Sequence, residues 1–109
     1  MAGVKIEKMN RFYVYILADK KGGDIYTGST SDLISRVSEH KSNIFGGFTK
    51  DSGIHNLVYY EEYDDNHKAA TRERQIKKWK REWKINLIEK SNPEWRDLYP
   101  EFKNQLFKS

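Results

Sequence analysis

Residues 12 to 17, FYVYIL, form an unbroken run of aromatic and β-branched side chains, which predicts a buried strand. DIYTG (24 to 28) reads as its antiparallel partner across a turn containing Gly22 and Gly23. If Tyr15 faces Tyr26, Leu17 pairs with Asp24 and a loop of residues 18 to 23 closes the hairpin. The two phenols then share one face, whereas a slip of one residue sends them to opposite faces. STSDLISRVSEHK (29 to 41) reads as a helix capped by Thr30 or Ser31, with Asp32 in the first turn and an apolar stripe of Leu33, Ile34 and Val37. Residues 43 to 56 read as a loop anchored by Phe45 and Phe48, and LVYYEEY (57 to 63) as a third strand. Beyond it, Ala69, Ile76, Trp79, Trp83 and Leu87 recur at helical spacing, predicting one long helix from about His67 to Lys90 with both tryptophans buried. Asp64, Asp65 or Asn66 caps it, and Pro93 in NPEW ends it by disfavouring helical geometry at Asn92. Trp95, Leu98, Tyr99, Phe102, Leu106 and Phe107 mark a last helix packing back on the domain. The predicted order is β-β-α-β-α-α, an α+β fold on a small three-stranded antiparallel sheet flanked by helices.

Length turns this pattern into one domain, residues 11–109, behind a flexible leader, 1–10. No run of about 18 apolar residues exists to span a membrane, and MAGVKIEKMN lacks the apolar centre of a signal peptide, so the expected location is cytoplasmic. The absence of cysteine excludes disulfides, zinc-thiolate sites and cysteine nucleophiles. The net charge is only +4, but residues 67 to 90 hold nine Lys or Arg against three acids. Such a helix is either a solvated face or the footprint of a polyanion partner.

Among side chains that could do chemistry, Glu73 stands out within TRERQIKKW. It is either an i, i+4 partner of Lys77 or a lone carboxylate for Mg²⁺, an ion that keeps several waters and takes few protein ligands. Arg36 is either a solvated helix arginine or a permanently charged fork for a phosphodiester. His40 lies one turn on, able to order Arg36, bind phosphate, shuttle a proton, or simply end the helix. Tyr13, Tyr59, Tyr60 and Tyr63 read as core or sheet-face residues.

In this order, these residues resemble the GIY-YIG nuclease domain in its small standalone bacterial form. Val14-Tyr15-Ile16 matches the first half-motif with valine for the leading glycine; Tyr26-Thr27-Gly28 matches the second with threonine for isoleucine. The resemblance covers roughly residues 11 to 99. It implies a divalent-metal-dependent endonuclease (Mg²⁺ or Mn²⁺) hydrolysing DNA phosphodiesters, in the manner of repair and recombination enzymes. Glu73 would hold the metal and Arg36 contact the scissile phosphate. Tyr15 and Tyr26 would flank the attacking water, with Tyr15 as general base and activity rising in the alkaline range. The family's late asparagine aligns with Asn92 or with Asn86. Lys77, Lys80, Arg81 and Lys84 would track phosphates with little sequence preference. A bare domain has little surface for reading sequence, so branched, flapped or damaged DNA is the expected substrate. The alternative is a catalytically silent nucleic-acid-binding module of the same fold.

Overall fold

The computed structural model describes residues 11–42 and 53–107; the expected leader and the anchors Phe45 and Phe48 lie outside the described residues. Three antiparallel strands, β1 (Phe12–Ala18), β2 (Ile25–Thr30) and β3 (Asn56–Tyr63), form a sheet ordered β2-β1-β3. The helices are α1 (Leu33–Lys41), α2 (Asn66–Lys78), α3 (Arg81–Ser91) and α4 (Tyr99–Phe107).

β1 is apolar throughout because it is central and covered on both faces. Its odd-numbered side chains Tyr13, Tyr15 and Leu17 pack with Leu33 and Val37 of α1, Leu57 and Phe102 of α4. Its even-numbered ones, Val14, Ile16 and Ala18, pack with Val58, with Ala69 and Ile76 of α2, and with Ile88 of α3. One irregularity serves both layers. The pairing of β1 with β3 shifts between Ile16↔Tyr59 and Leu17↔Leu57, leaving Val58 as an extra residue. The bulge turns Val58 to the same layer as Tyr59 while Leu57 faces the other.

α1 starts later than its sequence suggests, because β2 continues to Thr30. Asp32 is the N-cap and its carboxylate accepts from the Ser35 amide at 3.1 Å. Asp65 caps α2 in the same way, through the Lys68 amide at 3.0 Å.

The expected single helix over 67 to 90 is two. Trp79 and Lys80 leave helical geometry (ψ 153° and 152°), although no proline or glycine stands there. Tertiary contacts hold the break. Arg72 lies over the Trp79 ring at 5.1 Å, and Arg81 donates to the carbonyls of Gly22 and Gly23 at 2.8 and 2.6 Å. Redirected at this joint, α3 buries Ile88 against the sheet, but Trp83 is 50% exposed, contrary to the expectation that both tryptophans are buried.

The free edge of β3 is closed by the segment after α3. The Leu57 amide donates to Asp97 at 3.0 Å, Leu98 donates to the Leu57 carbonyl at 2.7 Å, and Asn92 donates to the Val58 carbonyl at 3.0 Å. On the α2 side of β3, Glu61 accepts from Tyr59, Tyr63 and both arms of Arg72. Burial alone would raise the Glu61 carboxyl, yet these donors hold it below its ordinary range. No helix among the described residues is long and apolar enough to cross a membrane.

Candidate active site

The hairpin register differs from the expected one by two residues. Tyr15 faces Gly28, and Tyr26 faces Leu17, with residues 19 to 24 closing the turn. A shift of two preserves parity, so both phenols still share a face, now as diagonal neighbours with ring centroids 6.3 Å apart. His40, 3% exposed near the end of α1, completes a group of three rings, 5.3 Å from Tyr26 and 6.4 Å from Tyr15.

Gly28 makes this arrangement possible. A Cβ there would stand 2.7 Å from the Tyr15 hydroxyl and 2.8 Å from the ring carbon bearing it, so the phenol lies directly over the glycine backbone. Tyr15 is fully buried, and its hydroxyl has no hydrogen bond of acceptable geometry among the described residues. The Arg36 guanidinium nonetheless approaches it closely enough to favour its ionised form. Burial outweighs that pull, helped by Tyr26 and by the Glu73 carboxylate, and pushes the Tyr15 phenol well above its usual value. The pull of Arg36 is therefore overridden, and Tyr15 in this state is a neutral hydrogen-bond donor. His40 moves the other way: burial first, and then Arg36, lower its pKa, which keeps the imidazole neutral at pH 7.

Glu73 reaches the same strand from the other layer. Ser29, one residue beyond Gly28, points to the α2 side and donates to Glu73 at 2.6 Å; Lys77 pairs with the second carboxylate oxygen at 2.7 Å. Burial works to raise the Glu73 carboxyl, but the bonds from Lys77 and Ser29 carry it below its ordinary value. The acid and the rings thus lie on opposite faces of the edge strand β2, against the neighbouring residues Ser29 and Gly28.

Arg36 is partly exposed, with Glu39 3.5 Å away on its own helix. Asn92 is not brought to this edge. It lies 3% exposed beyond β3, donating to the carbonyls of Val58 and Arg96 and accepting from the Arg96 amide. Its polar atoms are used in ending α3 and fastening the C-terminal segment, while Asn86 is exposed on α3. Of the expected phosphate-tracking cations, Lys80 is exposed, Lys77 is paired with Glu73, Lys84 donates to the Lys77 carbonyl at 3.4 Å, and Arg81 is engaged with the hairpin turn. Ser29 and Gly28 are the residues that sequence reasoning passed over. The glycine was visible only as the end of a half-motif, and nothing in the chain flagged the serine.

The fit to a divalent cation rests on donor chemistry. No group of three or more His, Cys, Asp or Glu side chains is gathered for a metal among the described residues. Glu73 and the Ser29 hydroxyl are hard oxygen donors at a partly open edge, suited to an ion that keeps most of its waters and unsuited to a dry all-protein cage.

A strand hairpin with two neighbouring phenols, an arginine and histidine on the next helix, and a carboxylate returning to the same edge strand are the features by which families can be compared. Residues 11–86 match the family model described as the GIY-YIG catalytic domain. The chain belongs to the GIY-YIG family. Its relatives include a UPF0213 protein of Syntrophus aciditrophicus, 42% identical over 89 residues (79% of this chain, 98% of the relative). A UPF0213 protein of Pediococcus pentosaceus is 34% identical over 90 residues, 81% and 92% of the two chains. Among solved structures, the solution NMR structure of the UPF0213 protein BH0048 from Bacillus halodurans superposes with a TM-score of 0.51 at 29% identity. That match covers 80% of this chain and 92% of the other. GIY-YIG domains are nuclease domains that act on DNA and generally use divalent metals.

Proposed function

We propose that this GIY-YIG protein is a divalent-metal-dependent endonuclease that hydrolyses DNA phosphodiesters at branched, flapped or damaged sites. The observation that carries the reading is the meeting of two layers at Gly28, with Tyr15, Tyr26, His40 and Arg36 on one side and Glu73 on the other. Arg36 neutralises the phosphate as charge builds on it during attack. Tyr15, protonated, donates to a phosphate oxygen or to the attacking water, and Tyr26 borders the same volume. His40, neutral at pH 7, accepts a proton from water, directly or through Tyr26. Glu73 and Ser29 would hold the cation, whose chemistry would be Lewis-acid polarisation of the phosphate, and Lys77, now paired with Glu73, would give up that carboxylate to it.

The substrate is tested by offering labelled linear, nicked, flapped and four-way-junction DNA with Mg²⁺, Mn²⁺ or EDTA. Metal-dependent cutting at junctions between single and double strands is expected. No cutting of any substrate by folded protein at any metal concentration would leave the silent binding module, a reading favoured only by the Lys77–Glu73 pair.

The proton assignment has its own test. Below the ordinary histidine value near 6.5, kcat/KM should fall as His40 is protonated, and from neutral pH to about 9 it should stay flat, because burial keeps Tyr15 neutral throughout. His40→Gln should lower the plateau and erase the acidic limb. A tenfold rise per pH unit through the alkaline range would instead assign the proton to a phenolate.

A further inference from the structure

Resting on the nucleic-acid reading above, we propose that α3 carries a stacking site for an unpaired base of single-stranded DNA, with Trp83 as its platform. The break at Trp79 and Lys80 opens a shallow cavity of about 290 Å³ lined by Trp79, Trp83, Asn86, Leu87 and Lys90. Trp83 is 50% exposed, one of two large apolar side chains so exposed among the described residues. Trp79 forms the back wall, edge-on to Trp83 with centroids 6.2 Å apart and with Arg72 over its ring. One indole is thus fixed by its neighbours, and the other presents its ring to solvent.

The surroundings argue for a nucleotide as occupant. Lys90 lines the cavity, and Lys80 and Lys84 stand within one turn of Trp83 in the chain, supplying cations for the phosphates beside a stacked base. Glu89 is turned to the Trp95 indole, which donates to it at 2.7 Å, so that Glu82 is the one exposed acid among the three lysines of α3's cavity side. A symmetric dimer through the same patch would press these lysines against their own copies. Asn86 offers both a donor and an acceptor to a base edge. Duplex DNA hides its base faces, so the cavity selects for single strands.

Position ties this cavity to the cutting site. Trp79 closes the helix that carries Glu73, six residues further on and about 9 Å along its axis at 1.5 Å per residue, and Trp83 follows beyond the break. Lys77 and Lys84 bridge the interval, the second donating to the backbone of the first.

The test is binding without turnover. In EDTA, the anisotropy of a labelled fifteen-nucleotide dT strand and of a labelled hairpin duplex is titrated with wild type, Trp83→Ala and Trp83→Phe, each checked for an unchanged melting curve. Trp83→Ala should weaken dT binding roughly 5- to 150-fold, the loss of one stacked base, leave duplex binding within about twofold, and be rescued largely by Trp83→Phe. Equal binding of dT by wild type and Trp83→Ala, or equal weakening for dT and duplex, overturns the proposal. So does concentration-dependent dimerisation that Trp83→Ala abolishes, which would assign the patch to a second copy. Because nothing is cut in EDTA, a protein that binds dT through Trp83 but never cleaves ends the nuclease reading alone; one that cleaves but ignores Trp83→Ala ends this inference alone.

Discussion

Glu73→Gln should reduce metal-dependent cleavage about a thousandfold, the equivalent of the several kcal/mol that a correctly held cation contributes to phosphoryl transfer. The substitution is chosen for what it keeps. A glutamine carbonyl still accepts from the Ser29 hydroxyl, which now bonds to Glu73 at 2.6 Å, and the side chain has nearly the same volume. Only the charge is lost, and with it the attraction for a hydrated divalent ion. Lys77, at present 2.7 Å from the carboxylate, becomes free to face phosphate instead. DNA binding measured in EDTA should therefore be equal to wild type or tighter, since one negative charge has left a surface that meets a polyanion. Slow cleavage with intact binding separates a lost metal ligand from a lost fold. If Glu73→Gln cuts within tenfold of wild type, the carboxylate serves only as the helix partner of Lys77, and the cation is held elsewhere.

The ambiguity about Glu73 shows where sequence reading reaches and where it stops. Spacing alone offered a salt bridge with Lys77 or a metal ligand, and the structure contains the salt bridge together with a position that suits the second role. The sheet, its three strands and the order of the elements were legible because apolar periodicity depends on local geometry. The hairpin register was not, because turn length admits more than one pairing; yet the error of two residues kept both phenols on one face, since side-chain direction alternates with period two. The break at Trp79 and Lys80 was illegible for a different reason. Neither residue opposes a helix, and what bends the chain is Arg81 reaching 58 residues back to the hairpin turn, a contact that no local window contains. Asn92 was visible as a helix end, but its side chain is consumed in holding that end to β3. A buried asparagine with three polar partners looks the same in a sequence as a catalytic one. The burial of Tyr15 was not legible either. Proximity to Arg36 is suggested by sequence order, whereas the desolvation that overrides it belongs to the assembled core.

Gly28→Ala should damage both stability and activity, and the two losses should be separable. The added Cβ would fall 2.7 Å from the Tyr15 hydroxyl, 2.8 Å from its ring carbon and 3.1 Å from the Tyr26 ring. Tyr15 cannot yield cheaply, because it is fully buried on the central strand and packed between Tyr26 and His40. Overpacking of this kind costs about 1–3 kcal/mol, which thermal or urea unfolding reads directly. The displaced phenol also leaves its position beside Arg36, and a shift near 1 Å in a catalytic constellation costs about a hundredfold in rate. Tyr15→Phe removes the atom nearest the new methyl but not the ring carbon behind it. Added to Gly28→Ala, it should therefore recover part of the stability while recovering none of the cleavage, since the hydroxyl proposed to serve the reaction is gone. That pattern, partial rescue of the unfolding free energy with no rescue of the rate, ties the glycine to the phenol through packing and the phenol to the reaction through its oxygen. Gly28→Ala with wild-type stability and wild-type cleavage would mean that Tyr15 can leave its seat over the glycine without consequence, and the edge of β2 would then not be where the reaction occurs.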